Sequence, residues 1–173
     1  RSRRQRQMCI RDRFNHMAKL KLFLIILIAL FCLSAQAEII RGKVIKIADG
    51  DTLTLLTDSN KKIKIRLAGI DTPERKQSFG NTAKNVLAKL VFQKEIQIEV
   101  LTKDRYGRTV GIVFLDNQNV NYELVRKGMA WAYKRYTDDE LLYKLEDEAK
   151  KRRIGLWADE NPIAPWDWRR GKR

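Results

Sequence analysis

Three strands with alternating apolar residues, an amphipathic helix, then two further alternating strands predict a five-stranded Greek-key β-barrel of the OB type. This is an α+β fold, mainly β, with about three helices. A length of 173 residues suits one domain with a modest core.

The elements follow in order. Residues 39–48 read as the first strand, and Asp49-Gly50 as its turn. In the second strand Leu53 and Leu55 alternate with Thr52 and Thr54, and Asp58-Ser59-Asn60 turns the chain again. In the third, Ile63, Ile65 and Leu67 share one face while Lys62, Lys64 and Arg66 share the other, so Arg66 points away from the core. Phe79, Ala83, Val86, Leu87, Leu90 and Val91 recur at helical spacing and predict a helix over 79–92. Ile96, Ile98 and Val100 alternate in the fourth strand, Asp104–Gly107 turns, and Thr109–Leu115 forms the fifth. A short helix then ends at Gly128, a C-terminal stop, and Trp131–Tyr133 is extended. Thr137-Asp138-Asp139-Glu140 has the form of a capping box. It opens a helix with Leu141, Leu142, Leu145 and Ala149 inward, and Lys150–Arg153 stand at its C-terminal end, where the dipole favours cations. Residues 159–173 read as an irregular, basic tail rich in Trp and Pro. It is expected to pack on the domain spanning 38–158 rather than to stack on bases.

The N-terminal part reads as a targeting signal. Met17-Ala18-Lys19-Leu20-Lys21 is basic, Leu22–Leu33 is an unbroken apolar run of 12 residues, and Ala35-Gln36-Ala37 is a cleavage ending. A bilayer span needs about 18 residues or more. Residues 17–37 are therefore expected to be a signal peptide, which places the protein outside the cell or in a periplasm, with no membrane attachment after cleavage. Residues 1–16 read as a non-native or untranslated extension ahead of Met17; a basic nucleic-acid-binding arm is the alternative.

The net charge is +15, and residues 38–173 retain +8, from 28 basic and 20 acidic residues. Such a balance predicts a polyanionic partner, nucleic acid or an anionic membrane. Both cysteines, Cys9 and Cys32, and the single histidine, His16, lie before residue 38. The expected mature chain therefore has no disulfide, no Cys/His zinc site and no imidazole acid or base. Phosphodiester chemistry on this chain must rest on carboxylates, a metal and cationic side chains.

Those groups cluster between residues 49 and 75. Asp51, Asp71 and Glu74 fall at loop positions beside strands, and Arg66 lies just before the second acidic group. Asp-Gly alone is an ordinary hairpin turn, and Asp-Thr-Pro-Glu alone is an ordinary helix start. Together, with the arginine between them, they suit a site holding a hard divalent cation and a phosphate. The cation takes oxygen ligands, and the guanidinium fork matches phosphate oxygens.

The stretch resembles the active-site region of the staphylococcal nuclease family. The likeness continues in Asp104-Arg105-Tyr106-Gly107-Arg108, in Asn121–Gly128 and in Gly155-Leu156-Trp157, covering roughly residues 39–158. The resemblance implies a calcium-dependent nuclease that cleaves DNA and RNA with little sequence preference. It implies Asp51 and Asp71 as side-chain metal ligands and Thr72 as a main-chain one. Glu74 would orient or deprotonate the attacking water, and Arg66 and Arg108 would bind the scissile phosphate. Tyr106 and Tyr133 would flank sugar and base. Asp104 and Arg105 would help shape the nucleotide pocket or serve only as turn residues. The loop after Glu74 is short, and Lys134-Arg135-Tyr136 does not follow the family pattern. No stable protein partner is implied and a monomer is expected. The competing class is an OB barrel that binds nucleic acid without cutting it; presence of Asp51, Asp71, Glu74, Arg66 and Arg108 together favours the enzyme.

The Ala-x-Ala ending yields a direct expectation. Protein secreted by a bacterial host should begin at Glu38 by intact-mass measurement. A dominant species still carrying Leu22–Leu33 would contradict the secreted reading.

Overall fold

The computed structural model of the protein describes residues 38–172. The extension and signal peptide expected over 1–37 lie outside the described residues.

The chain opens with a long strand β1 (Glu38–Ile47), followed by β2 (Thr52–Thr57) and β3 (Lys62–Leu67). A two-residue strand β4 (Ile70–Asp71) precedes helix α1 (Gly80–Val91). Then come β5 (Glu95–Lys103), β6 (Thr109–Leu115), a short β7 (Gln118–Asn119) and helix α2 (Val120–Arg126). Strand β8 (Trp131–Ala132), helix α3 (Glu140–Lys151), a 3₁₀ turn over Gly155–Ala158 and a four-residue helix α4 (Pro165–Trp168) complete the order.

Five strands close into the barrel that the alternation predicts. β1 serves two partners. Glu38–Lys43 pair antiparallel with β5, and Gly42–Ile47 pair with β2, with an irregularity between Val44 and Lys46. Such an irregularity bends a strand, which a small barrel requires. β5 pairs with β6, and a parallel contact between β3 and β6, with Arg66 opposite Val110, closes the circle. Val44, Leu53, Leu55, Ile65, Leu67, Ile98 and Val113 point inward and are fully buried. Ala83, Leu87 and Val91 of α1 and Val120, Leu124 and Val125 of α2 complete the same core. Each fully buried aliphatic side chain contributes about 1.5–3 kcal/mol, so the alternating strands and these helical faces account for the fold.

Helix boundaries fall within a residue or two of the pattern, with one informative shift. The cap of α3 is Asp139, not Thr137: its Oδ1 accepts the Leu141 and Leu142 N–H groups. The Tyr122 hydroxyl of α2 donates to the other oxygen at 2.6 Å. That tertiary contact holds Asp139 at the helix start and leaves the Thr137 hydroxyl to accept the Asp139 N–H. Gly128, the expected stop of α2, has φ +63°, and a Cβ there would stand 2.1 Å from the Ile154 carbonyl oxygen.

Two buried polar side chains connect the helices to the acidic strand. Asn121 of α2 accepts the Val113 N–H at 3.1 Å and donates to the Ala68 carbonyl at 2.9 Å. Glu146 of α3 accepts the Ala132 N–H at 3.0 Å, and β8 in turn pairs Ile70 with Ala132 and Asp71 with Trp131. The position of Asp71 is therefore set from both sides by side chains remote in sequence.

Replacing Asn121 by Ala should leave the Val113 N–H and Ala68 carbonyl unsatisfied. Each such group costs about 1–3 kcal/mol, so urea unfolding should show a loss of about 3 kcal/mol. Unfolding within about 0.5 kcal/mol of the parent would mean that water takes over both bonds.

Candidate active site

The strand register brings the charged groups together. Thr52, at the start of β2, lies opposite Arg66 in β3, and Arg66 lies beside Val110 in β6. Asp51 therefore precedes β2, and Arg108 precedes β6, at the same edge of the barrel. The Leu67 N–H donates to the Asp51 carbonyl at 2.9 Å, fastening that turn to β3. Asp71 arrives on β4, five residues after Arg66.

Asp51 and Asp71 are buried, at 6% and 2% exposure. One guanidinium nitrogen, Arg66 Nη2, bridges them: 3.2 Å to Asp51 Oδ2 and 3.1 Å to Asp71 Oδ1. Its Nη1 donates to the Leu67 carbonyl at 2.8 Å, which locks the side chain to its own strand. Thr72 closes the far side of Asp51, with both its main-chain N–H and its hydroxyl donating to Oδ2 at 2.9 Å. Burial pushes the Asp71 carboxyl above the usual range, and the charge of Asp51 adds to that, against the pull of Arg169 and Arg66. Asp49, whose Oδ1 accepts the Asp51 N–H, is pushed up to about 6 by burial first and by the Asp51 charge second.

Glu74 sits at the rim, with its side chain 41% exposed. Its loop is tightly wound. Gln77 Oε1 accepts the Glu74 N–H, the Gln77 N–H donates to the Glu74 carbonyl, and Gly80 N–H donates to the Gln77 carbonyl. A Cβ on Gly80 would stand 2.0 Å from the Glu74 carbonyl oxygen, so only glycine lets α1 begin this close to the loop. The short connection after Glu74 thus holds its backbone against the helix.

Arg108 is held ready in another way. Its Nε donates to Asp104 Oδ2 at 2.7 Å, and its Nη1 reaches the Thr52 hydroxyl at 3.4 Å, which donates to Asp51 Oδ1. Burial works to raise the Asp104 carboxyl, but the Arg108 side chain and the N–H groups of Arg108 and Tyr106 hold it below the usual range. Tyr106 is exposed, with the Arg105 and Arg108 guanidiniums 4.8 and 5.6 Å from its ring centre, and Arg105 also donates to its hydroxyl at 2.7 Å. Asp104 is thus the residue that orients Arg108, and Arg105 lies on the outside of the turn.

Tyr133 follows β8, and its N–H donates to the Gly69 carbonyl at 2.8 Å. Its ring belongs to an aromatic group with Tyr136, 4.8 Å away edge-on, and Trp166, 5.1 Å away and parallel within 4°.

One member of the site has no local signal in the sequence. Arg169, just after α4, donates from Nη2 to Asp71 Oδ2 at 2.6 Å and from Nη1 to Glu74 Oε1 at 2.7 Å. It lies 98 residues from Asp71, in the tail, and no motif spacing links the two. Asp49 gives no separate signal either, because it reads as the turn residue it also is.

Among the described residues, no set of three or more His, Cys, Asp or Glu side chains is gathered into an ion cage. The donor set that would hold a hard cation is the Asp51 and Asp71 carboxylates with the Thr72 main-chain oxygen. The set fits such an ion in chemistry. It is all oxygen, buried, and doubly negative, and its charge is met here by two guanidiniums.

Comparison with known proteins accords with this arrangement. The family model described as staphylococcal nuclease homologue matches residues 64–159. A Haemophilus influenzae protein described as an uncharacterized endonuclease is 50% identical over 131 residues, covering 76% of this chain and 74% of the relative. The micrococcal nuclease of Shigella flexneri is 43% identical over 144 residues, covering 77% and 82%. A staphylococcal-like nuclease of Arabidopsis thaliana is 45% identical over 113 residues, 65% of this chain and 35% of the plant protein. On the closed barrel, the matched region and these identities, the chain belongs to the staphylococcal nuclease family.

Proposed function

We propose that this protein is a calcium-dependent nuclease that hydrolyses phosphodiester bonds of DNA and RNA with little sequence preference. The observation that carries the reading is the pair of buried carboxylates, Asp51 and Asp71, joined through Arg66 with Glu74 at the rim. The names of the relatives support nuclease activity. Secretion, or a periplasmic location, is part of the proposal and rests on the apolar run and Ala-x-Ala ending.

Asp51, Asp71 and the Thr72 carbonyl would hold the ion, which when bound supplies positive charge to the reacting phosphate and its water. The chain's own residues do the rest. Glu74 accepts a proton from the attacking water as the new P–O bond forms. Arg66 and Arg108 donate to the non-bridging oxygens, whose negative charge grows in the transition state. The bond to the leaving sugar oxygen breaks, and that oxygen takes up a proton from solvent. Asp104 keeps Arg108 aimed, so that its fork meets phosphate in one orientation. The exposed rings of Tyr106 and Tyr136 and the Tyr133 group offer faces for sugar and base. Every base has such a face to stack, so this mode discriminates weakly among sequences.

Plasmid DNA and a single-stranded RNA, each incubated with the mature protein in calcium, magnesium or chelator, test the reading. Cleavage in calcium that chelator abolishes is expected; retention of the nucleic acid without cleavage in any ion would point to the binding module instead. Asp51→Asn should weaken calcium affinity, and excess calcium should recover part of its activity. Glu74→Gln should leave calcium affinity largely intact and lower turnover by roughly 10²–10⁴, the range for loss of a general base. Its residual rate should rise with pH as hydroxide replaces the base. Calcium rescue of Glu74→Gln and not of Asp51→Asn would reverse the two roles.

Arg108→Lys should be nearly as damaging as Arg108→Ala. Lysine keeps the charge but loses the fork that Asp104 orients. Activity close to the parent in Arg108→Lys would reduce Arg108 to a general electrostatic role.

A further inference from the structure

The tail does more than pack on the domain. The Gln77 side chain donates to the Ile163 carbonyl, which fastens the tail to the loop that carries Glu74. α4 then presents Trp166 and Arg169 to two parts of the site. Trp166 lies flat on Tyr133, the arrangement a nucleobase takes on an aromatic side chain. Arg169 spans Asp71 and Glu74 with both terminal nitrogens. Its neighbours Arg170 and Lys172 turn instead to Asp167.

The ion pairs of Arg169 have a chemical consequence. Asp71 Oδ2 accepts the shortest of the hydrogen bonds to that carboxylate, and Oδ1 is already shared with Arg66. A divalent ion that takes Asp71 as a ligand needs those lone pairs. Glu74 Oε1 is likewise occupied by the same guanidinium, at 2.7 Å. Arg169 is moreover the less firmly seated of the two guanidiniums on Asp71: its side chain is 43% exposed, against 14% for Arg66, which is built into β3.

We propose that Arg169 is a further residue of the catalytic centre, a tethered cation that holds Asp71 and Glu74 in the metal-free protein and competes with the divalent metal for them. Metal entry then frees the end of the tail, and with it the Tyr133 face that Trp166 covers. The inference rests on the reading of Asp51 and Asp71 as metal ligands.

The test is calcium binding by titration calorimetry, without substrate, on the parent, Arg169→Ala and Arg170→Ala. Hydrogen exchange of residues 164–172 is followed with and without calcium. Removing a unit charge next to a divalent ion changes its affinity about tenfold even at the dielectric of water. Arg169→Ala is therefore expected to bind calcium about tenfold more tightly, with Arg170→Ala unchanged. Calcium should speed exchange over 164–172 in the parent, and the segment should exchange fast in Arg169→Ala without calcium. Equal tightening in both variants would reduce the effect to net charge and overturn the proposal. Unchanged or weaker binding in Arg169→Ala, or calcium that leaves or increases the protection of 164–172, would also overturn it while the metal site stands. Absence of calcium binding in all three proteins would remove the metal reading and the proposal together.

Discussion

Two carboxylates buried at one edge of a small barrel are the constraint around which the site is arranged. Burying two carboxylates side by side is costly unless cationic groups face them. Arg66 meets that need from within the barrel. A single nitrogen reaches both oxygens while the other is tied to the main chain of β3. Thr72 contributes an N–H and a hydroxyl to the same end. Removing any one of these donors would leave a largely buried carboxylate oxygen with fewer partners, which is costly.

The barrel serves this set through register. Thr52 opposite Arg66, and Arg66 beside Val110, bring the ends of three strands to one edge. No long loop is needed to gather the groups. Asp51 and Arg108 sit one residue outside strands whose inward residues are fully buried, so their backbone positions inherit the rigidity of the core. Asp71 sits on a two-residue strand whose partner, β8, is equally short. Asn121 and Glu146 supply what it lacks, one through Ala68 and the other through β8.

Rigid and mobile parts are divided accordingly. Asp51, Asp71 and Thr72 are buried, Arg66 is partly so, and all four are bound on several sides. Glu74 and Arg169 are half exposed and meet at the rim, where Arg169 also pairs with Asp71. Of the charged groups on Asp71 and Glu74, the fold thus holds Arg169 less tightly than Arg66. The aromatic contacts follow the same division. Trp131 packs edge-on against Trp157 inside the domain at 4.3 Å, while Trp166 rests on Tyr133 at the surface.

Much of this was legible in the chain itself. Period-two alternation named the five barrel strands, because each must send every second side chain into one core. Helical spacing named α1 for the same reason. The acidic and basic residues of the site lie in short motifs at strand ends, where a turn residue without a local role stands out. Other features depend on contacts that no spacing encodes. The cap of α3 moved from Thr137 to Asp139 because Tyr122, seventeen residues earlier, holds that carboxylate. Asn121 reads as one polar residue in a helix until its two partners, in β6 and after β3, are seen. Arg169 reads as one of several cations in a basic tail. Only the closed fold, which brings residues 71, 74 and 169 within hydrogen-bonding distance, singles it out from Arg170 beside it. Local pattern determined which segments form and which face they bury; long-range packing decided which of the many charged side chains meet, because the energy of an ion pair depends on distance in space and not along the chain.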